Sequence, residues 1–468
     1  MDEDTNVKNE SKEIESTEVE NTKAENDGKN HEVDLIIGVN EKIGFGQAMF
    51  LGFQHVLSMD LFVMPFILAG ILQMSVAETA LFISMTFFAA GIATLIQTGW
   101  GMKLPVMQGP SYVPIGAMAA IGNGLGWAYM FGALIPGAAI IAILGYPFKV
   151  FSKIIHKLIP ALVAGTVIIV VGITLMVIAL NNIFTAPGDI GQNILVSSIT
   201  VAILVLFIML GVRIKGAGRY IRLTSVILSI VGGTIIASFF GQVDFSPVGA
   251  AAWFSLPKLF PFGVPKFDLS AILIMLFIYF IVLLDTTGTW FTIGAITGEK
   301  LTDKRLNGAA AGEGLGCFLG ALFGGPPVVG YSSNAGVMSI TGVASRWAIM
   351  GGGIILIILG MIPKLMAVIA CVPGTVINGV FVIVAVLVTV NGIRVIRPYE
   401  LDERNMFVIG IPVFLALASA LLPAEVLNSL PSLLNYMMSS GTAVGGLAAV
   451  ILNLIIPASK TTKAIDGC

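Results

Sequence analysis

The chain has 468 residues, of which 56% are hydrophobic and 11% charged, and its net charge is -2; its mean hydropathy is +0.95. Soluble domains carry about 25% charged residues, so this composition excludes a water-exposed surface over most of the chain. It fits a polytopic membrane protein, and with no basic patch it offers nothing to nucleic acid.

Residues 1–34 are acidic, polar and nearly free of apolar side chains, which predicts a disordered tail; we place the tail at 1–40. No apolar stretch follows a basic start there, so it does not read as a signal peptide. From Gly46 onward apolar segments recur up to Pro457. The ~20-residue rule predicts about fourteen spans, near 46–70, 77–98, 105–121, 125–147, 160–180, 193–212, 223–241, 268–294, 309–324, 327–342, 347–363, 366–390, 405–422 and 437–458. The predicted fold is an all-α polytopic membrane protein with short strand pieces in spans 3 and 10, closed by a tail at 459–468.

Basic residues cluster in alternate loops: Lys149, Lys153 and Lys157; Arg213, Lys215, Arg219 and Arg222; Lys300, Lys304 and Arg305; Arg346; Arg394, Arg397 and Arg404; Lys460 and Lys463. The loops 181–192 and 423–435 have neither Lys nor Arg. With an even number of spans, both termini are then cytoplasmic and the protein belongs in the cell membrane.

Fourteen divides into two sevens, and an odd repeat inserts the second half upside down, as in many secondary transporters. The halves would be 41–245 and 246–458. Spans 3 and 10 then correspond. Each joins a β-prone piece (Val106–Met107; Val328–Val329) to a later helical piece and is interrupted by prolines: Pro105, Pro110 and Pro114 in one, Pro326 and Pro327 in the other. Interrupted segments at matching positions point to a midplane site, where half-helix N-termini offer free N–H groups to a polar substrate.

Acidic residues inside apolar spans are costly and usually functional. Asp285 opens a polar run, Asp285, Thr286, Thr287 and Thr289, around Gly288; a carboxylate there can exchange a proton and accept hydrogen bonds from a base. Asp60 reads equally as functional or structural, and Glu313, near a span start, as facing water. Gln54 and His55 share the first span; His55 is either a proton relay or a brace between helices. Trp100, Trp127, Trp253 and Trp347 sit at span ends as interfacial anchors, whereas Tyr112 lies in the interrupted third span and can stack on a flat ring.

Other chemistries find no motif. Cys317, Cys371 and Cys468 are scattered without a CxxC pair, and there is no HExxH or Walker A sequence. The chain therefore reads as having no metal and no cofactor, as hydrolysing no ATP, and as no enzyme.

Four motifs resemble those of the nucleobase-ascorbate transporter family, also called nucleobase cation symporter-2. The stretch SNAGVMSITGVASR resembles the tenth-span signature, through Ser333, Asn334, Gly336, Thr341 and Gly342. Gln54–His55 resembles the first-span Gln-His pair, QGPSY the third-span pattern with Tyr112 at its aromatic position, and DTTGT the eighth-span site, where most members have Glu at the position of Asp285. The resemblance spans about residues 40 to 458. It implies fourteen spans in two inverted repeats, core and gate domains that interleave both repeats, elevator-like motion and a homodimer. By carry-over, Asp285 anchors the base and couples the proton, Tyr331, Ser332, Ser333 and Thr289 contact the substrate, Asn334 holds local geometry, and Tyr112 packs on the ring. Ser333 departs from the usual Gln or Glu. DTTGT resembles the guanine-hypoxanthine branch and TGVASR the xanthine and urate carriers, so a purine (xanthine, urate, guanine or hypoxanthine) stands ahead of uracil. The expected activity is proton symport of that base, with sodium as second choice of ion. The alternatives are a uracil permease, or an anion transporter or channel of the related sulfate-carrier fold, whose anion would sit at the helix N-termini against the repulsion of Asp285.

Overall fold

The computed structural model describes residues 35–158, 160–214 and 218–456; the tails predicted at 1–34 and 459–468 lie outside them. In chain order the first half forms α1 (Phe45–Leu57), α2 (Val63–Ile71), α3 (Val76–Ile96, running on into a π-helical turn, Gln97–Gly101), β1 (Gln108–Pro110), α4 (Ile115–Leu125), α5 (Trp127–Gly145), α6 (Phe151–Leu158), α7 (Ala161–Phe184), α8 (Ile190–Arg213), α9 (Gly218–Phe239) and α10 (Ser246–Ala250). The second half forms α11 (Leu269–Thr297), α12 (Asp303–Leu322), β2 (Val328–Gly330), α13 (Ser332–Thr341), α14 (Arg346–Gly360), α15 (Pro363–Ala370), α16 (Gly374–Ile396), α17 (Glu403–Ala420), α18 (Ala424–Asn428), α19 (Ser432–Met438) and α20 (Gly441–Ile455).

Helix starts follow their caps. Ser75 and Glu78 form a reciprocal capping box at α3. Asp268 accepts from Ala271 N at 2.9 Å to open α11, Thr302 caps α12, and Asp402 accepts from Asn405 N at 2.7 Å to open α17. Among the described residues seven helices are long and apolar enough to cross a membrane, and two bent pairs raise this to nine.

Several predicted spans are broken. The segment 46–70 is interrupted between α1 and α2: Pro65, in the first turn of α2, has no N–H to continue a helix from α1, and Ser58 folds its hydroxyl back onto His55 O at 2.7 Å. Residues 366–390 do not form one rod, because α15 bends 79° from α14 and ends before α16 begins. The last span bends 90° between α19 and α20. Residues 35–41, most of them assigned to the tail from sequence, run as a strap beside the end of α13: Ile36 N donates to Gly342 O at 2.8 Å, Ala344 N to Ile37 O at 2.9 Å and Arg346 N to Val39 O at 3.0 Å. The apolar side chains of Ile37, Val343 and Ala348 bury together there, a signal too short to stand out beside the acidic run.

The helices pack as two groups, each drawing on both halves of the chain. One contains α1, α3, α5, α12, α14 and α15; the other contains α7, α8, α9, α16, α17 and α20. Helix α11 touches both, through α5 on one side and α7 and α20 on the other. The apolar window of α3 is 72% buried and that of α8 only 22%. Helix α3 is therefore an interior rod, and α8 keeps most of its apolar surface for lipid.

Candidate functional site

The two strands are the centre of the first group. They pair antiparallel, with Gln108 opposite Gly330 and Pro110 opposite Val328, and the ladder continues through Ser111 N to Pro327 O at 2.8 Å and Tyr331 N to Met107 O at 2.9 Å. Non-helical backbone at membrane depth must satisfy its polar groups within the protein. Surrounding helices complete this: Thr94 of α3 accepts from Gln108 N at 2.9 Å, Thr286 of α11 accepts from Gly330 N at 2.9 Å, and Cys317 of α12 lies 3.4 Å from both N and O of Val328. The first strand lies at Gln108–Pro110, directly after the β-prone piece Val106–Met107.

Each strand leads into a short helix, α4 or α13, and neither helix has a side-chain cap at its N-terminus. In α4 Ile115 N turns back to Tyr112 O at 3.3 Å, and in α13 Asn334 N turns back to Tyr331 O at 3.2 Å.

The carboxylates occupy three settings. Asp285 is half-buried in the middle of α11, beside Thr286 and the β2 edge. Asp60 lies in the break between α1 and α2, where Tyr112 donates to its Oδ2 at 2.6 Å and Tyr331 is also close. Glu313, expected from sequence to face water, is 2% exposed: the Thr302 cap starts α12 earlier than predicted and carries Glu313 to mid-helix. It receives a hydrogen bond from Gln97 Nε2 at 3.3 Å and faces Thr286, Gln108 and Gly330.

The other predicted residues divide clearly. Tyr112 stands where the two helix groups meet, its ring tilted against Phe381 of α16 at 5.5 Å. Tyr331 directs its hydroxyl to Pro110 O at 3.3 Å. Ser332 is exposed, whereas the Ser333 hydroxyl is buried with no partner among the described residues. Asn334 donates to Pro105 O at 3.0 Å, which joins span 10 to span 3, and stands beside the buried His55. Thr289 is buried with its methyl toward Gly330, behind the strand pair. Gln54 is half-buried in α1 and Gly336 exposed on α13. Thr341 closes α13 by accepting from Val343 N at 3.1 Å, where Gly342 takes a left-handed φ of 66°.

Sequence reasoning did not single out Gln97, Gln108 or Phe381. Gln97 and Gln108 carry no charge to mark them inside an apolar run, and Phe381 is one of 28 phenylalanines. Among the described residues no cluster of three or more His, Cys, Asp or Glu could hold a metal ion.

Comparison with known proteins gives a consistent picture. Residues 46–425 match the Permease family, Xan_ur_permease. The chain is 32% identical over 430 residues to the uric acid permease PucK of Bacillus subtilis, covering 89% of this chain and 97% of that one. It is 30% identical over 432 residues to the xanthine permease of Bacillus subtilis, covering 90% and 97%. Among solved structures, the transmembrane domain of the cyanobacterial bicarbonate transporter BicA superposes with a TM-score of 0.57 at 16% identity, covering 88% of this chain and 100% of that one. The likeness to BicA is one of fold.

Proposed function

Because this chain belongs to the nucleobase-ascorbate transporter family, matched as Permease family over residues 46–425, we propose that this multi-pass membrane permease takes up a purine base by proton symport. Relatives named for uric acid and xanthine support a purine over uracil. The observation that carries the reading is the placement of Asp285. It is a half-buried carboxylate in the span that touches both helix groups, next to a strand pair whose two following helices have uncapped N-termini. A carboxylate can accept from ring N–H groups while helix N–H groups meet ring carbonyls.

In this reading the helices and strands make fourteen spans in two inverted repeats: α1–α2, α3, β1–α4, α5, α7, α8 and α9, then α11, α12, β2–α13, α14, α16, α17 and α19–α20. The first group, with the strand pair, is the core, and the second is the gate. Substrate sits between them near Asp285, Tyr112, Tyr331, Ser332 and Ser333, and the core moves against the gate as an elevator. Both termini face the cytoplasm, and a homodimer is the working assembly.

Reconstituted protein tests this. Xanthine, uric acid, guanine, hypoxanthine and uracil are offered with and without an inward proton gradient. Gradient-driven uptake of a purine, lost in Asp285→Asn, is expected. A folded protein that carries no base sinks the proposal and turns attention to anions.

A further inference from the structure

Gln97 is fully buried at the start of the π-helical turn that ends α3. Its Nε2 donates to Ala309 O at 3.1 Å and to Glu313 Oε2 at 3.3 Å, both on α12. A carbonyl only accepts, so Ala309 O fixes which end of the amide is the nitrogen. Two notches let the amide in: a methyl at either Gly101 or Gly312 would collide with Gln97 Oε1. π-turns inside helices are rare and concentrate at functional sites, and this one presents a neutral donor to a buried carboxyl.

Beyond Gln97, Glu313 faces the Thr286 hydroxyl, the Gln108 amide and the Gly330 backbone, which together are the back of the strand pair. The titratable groups near it are Asp285 on α11 and Cys317 on its own helix. Helix α5 meets this part of α12 with Ala138, Ala142 and Gly145, none of them titratable. Polar groups therefore line a path from the end of α3 past Glu313 to Thr286 and the strand that leads into Tyr331, while Glu313 Oε1 and the Gln108 amide have no hydrogen-bond partner among the described residues.

We propose that Gln97 is a positioning residue that acts through Glu313: it holds this carboxyl against the back of the β1–β2 pair and so keeps Tyr331 to Asn334 in register when cargo binds. The part concerning cargo rests on the transport reading above.

Two measurements on purified, full-length protein test it. Infrared difference spectra assign the Glu313 carboxyl band as the one lost in Glu313→Gln. That band should shift in Gln97→Leu and stay in place in Thr86→Val, whose hydroxyl only returns to Phe82 O on the same helix. An unmoved band overturns the inference whether or not the protein carries a base. Xanthine and uric acid affinities are then measured across a double-mutant cycle. Gln97→Leu should weaken binding about tenfold, the scale of one hydrogen bond to a carboxyl, and the double variant should bind no more weakly than Glu313→Gln alone. Losses that multiply would show Gln97 acting independently of Glu313 and overturn the inference. If Gln97→Leu does not fold, Gln97→Met and Gly312→Ala, which displaces the amide, should give the same band shift, and a wild-type band in both overturns it. Failure of wild-type protein to bind either purine counts against the transport reading, and the infrared result then decides the Gln97–Glu313 contact by itself.

Discussion

Tyr112 donates its phenolic hydrogen to Asp60 at 2.6 Å across 52 positions of sequence. The bond ties the third span, just after β1, to the break in the first span. It also holds the Tyr112 ring beside Phe381 on the opposite helix group. The aromatic residue of the interrupted third span is thus oriented by a carboxylate from the first.

Removing only that hydroxyl isolates its contribution. Tyr112→Phe keeps the ring against Phe381 but leaves Asp60 without its donor, and should lower stability by about 1.5–3 kcal/mol. Asp60→Asn retains an acceptor and should cost less. Thermal unfolding in detergent measures both, and equal losses would mean that the bond does not set the cost.

Asp285→Asn keeps size and hydrogen-bonding capacity while removing proton exchange. Gradient-driven purine uptake should fall by roughly a hundredfold or more, the scale of a group that must transfer a proton. Purine binding to the solubilised protein should fall much less. A variant that still concentrates purine in a gradient-dependent way takes Asp285 out of coupling.

Thr286 supplies the acceptor for Gly330 N at 2.9 Å. Thr286→Val has nearly the same shape and strands a buried N–H, for a loss of about 1–3 kcal/mol. Thr286→Ser should recover most of it. Hydrogen exchange at Gly330 reads the bond directly, and unchanged protection in Thr286→Val would contradict its role.

Asn334 joins spans 3 and 10 through Pro105 O at 3.0 Å. Because a carbonyl needs a donor, Asn334→Asp should be at least as harmful as Asn334→Ala despite its closer shape. The melting temperatures of the two variants rank them, and a near-native Asn334→Asp would show that the bond is dispensable.

Ser333 has a buried hydroxyl with no partner among the described residues, where relatives by resemblance place Gln or Glu. Ser333→Gln brings a two-sided amide to that position and should change the ratio of xanthine to uric acid uptake. Competition assays read this ratio, and an unchanged ranking would remove Ser333 from base reading.

Much of this was legible in the linear chain because a bilayer imposes a length and an apolar rule on each span. Those rules place α3, α5, α7, α8, α11 and α17 within a few residues of their observed bounds. Prolines marked both interrupted spans, and Asp285 stood out as a charge in a long apolar run. Glu313 reads as facing water when its span is taken to begin near 309, but the Thr302 cap begins α12 at Asp303. The strap at 35–41 is hard to separate from the tail in sequence because its apolar residues are few and its partners lie some 300 positions away.

Sequence by itself determined that this protein lives in a membrane and where its long unbroken spans lie, since burial in lipid is decided by local composition. Only the tertiary structure decided that Gln97 meets Glu313, that Tyr112 answers to Asp60 and that β1 finds β2. Each of those hydrogen bonds joins groups far apart in the chain, and their directional geometry exists only once the helices have packed.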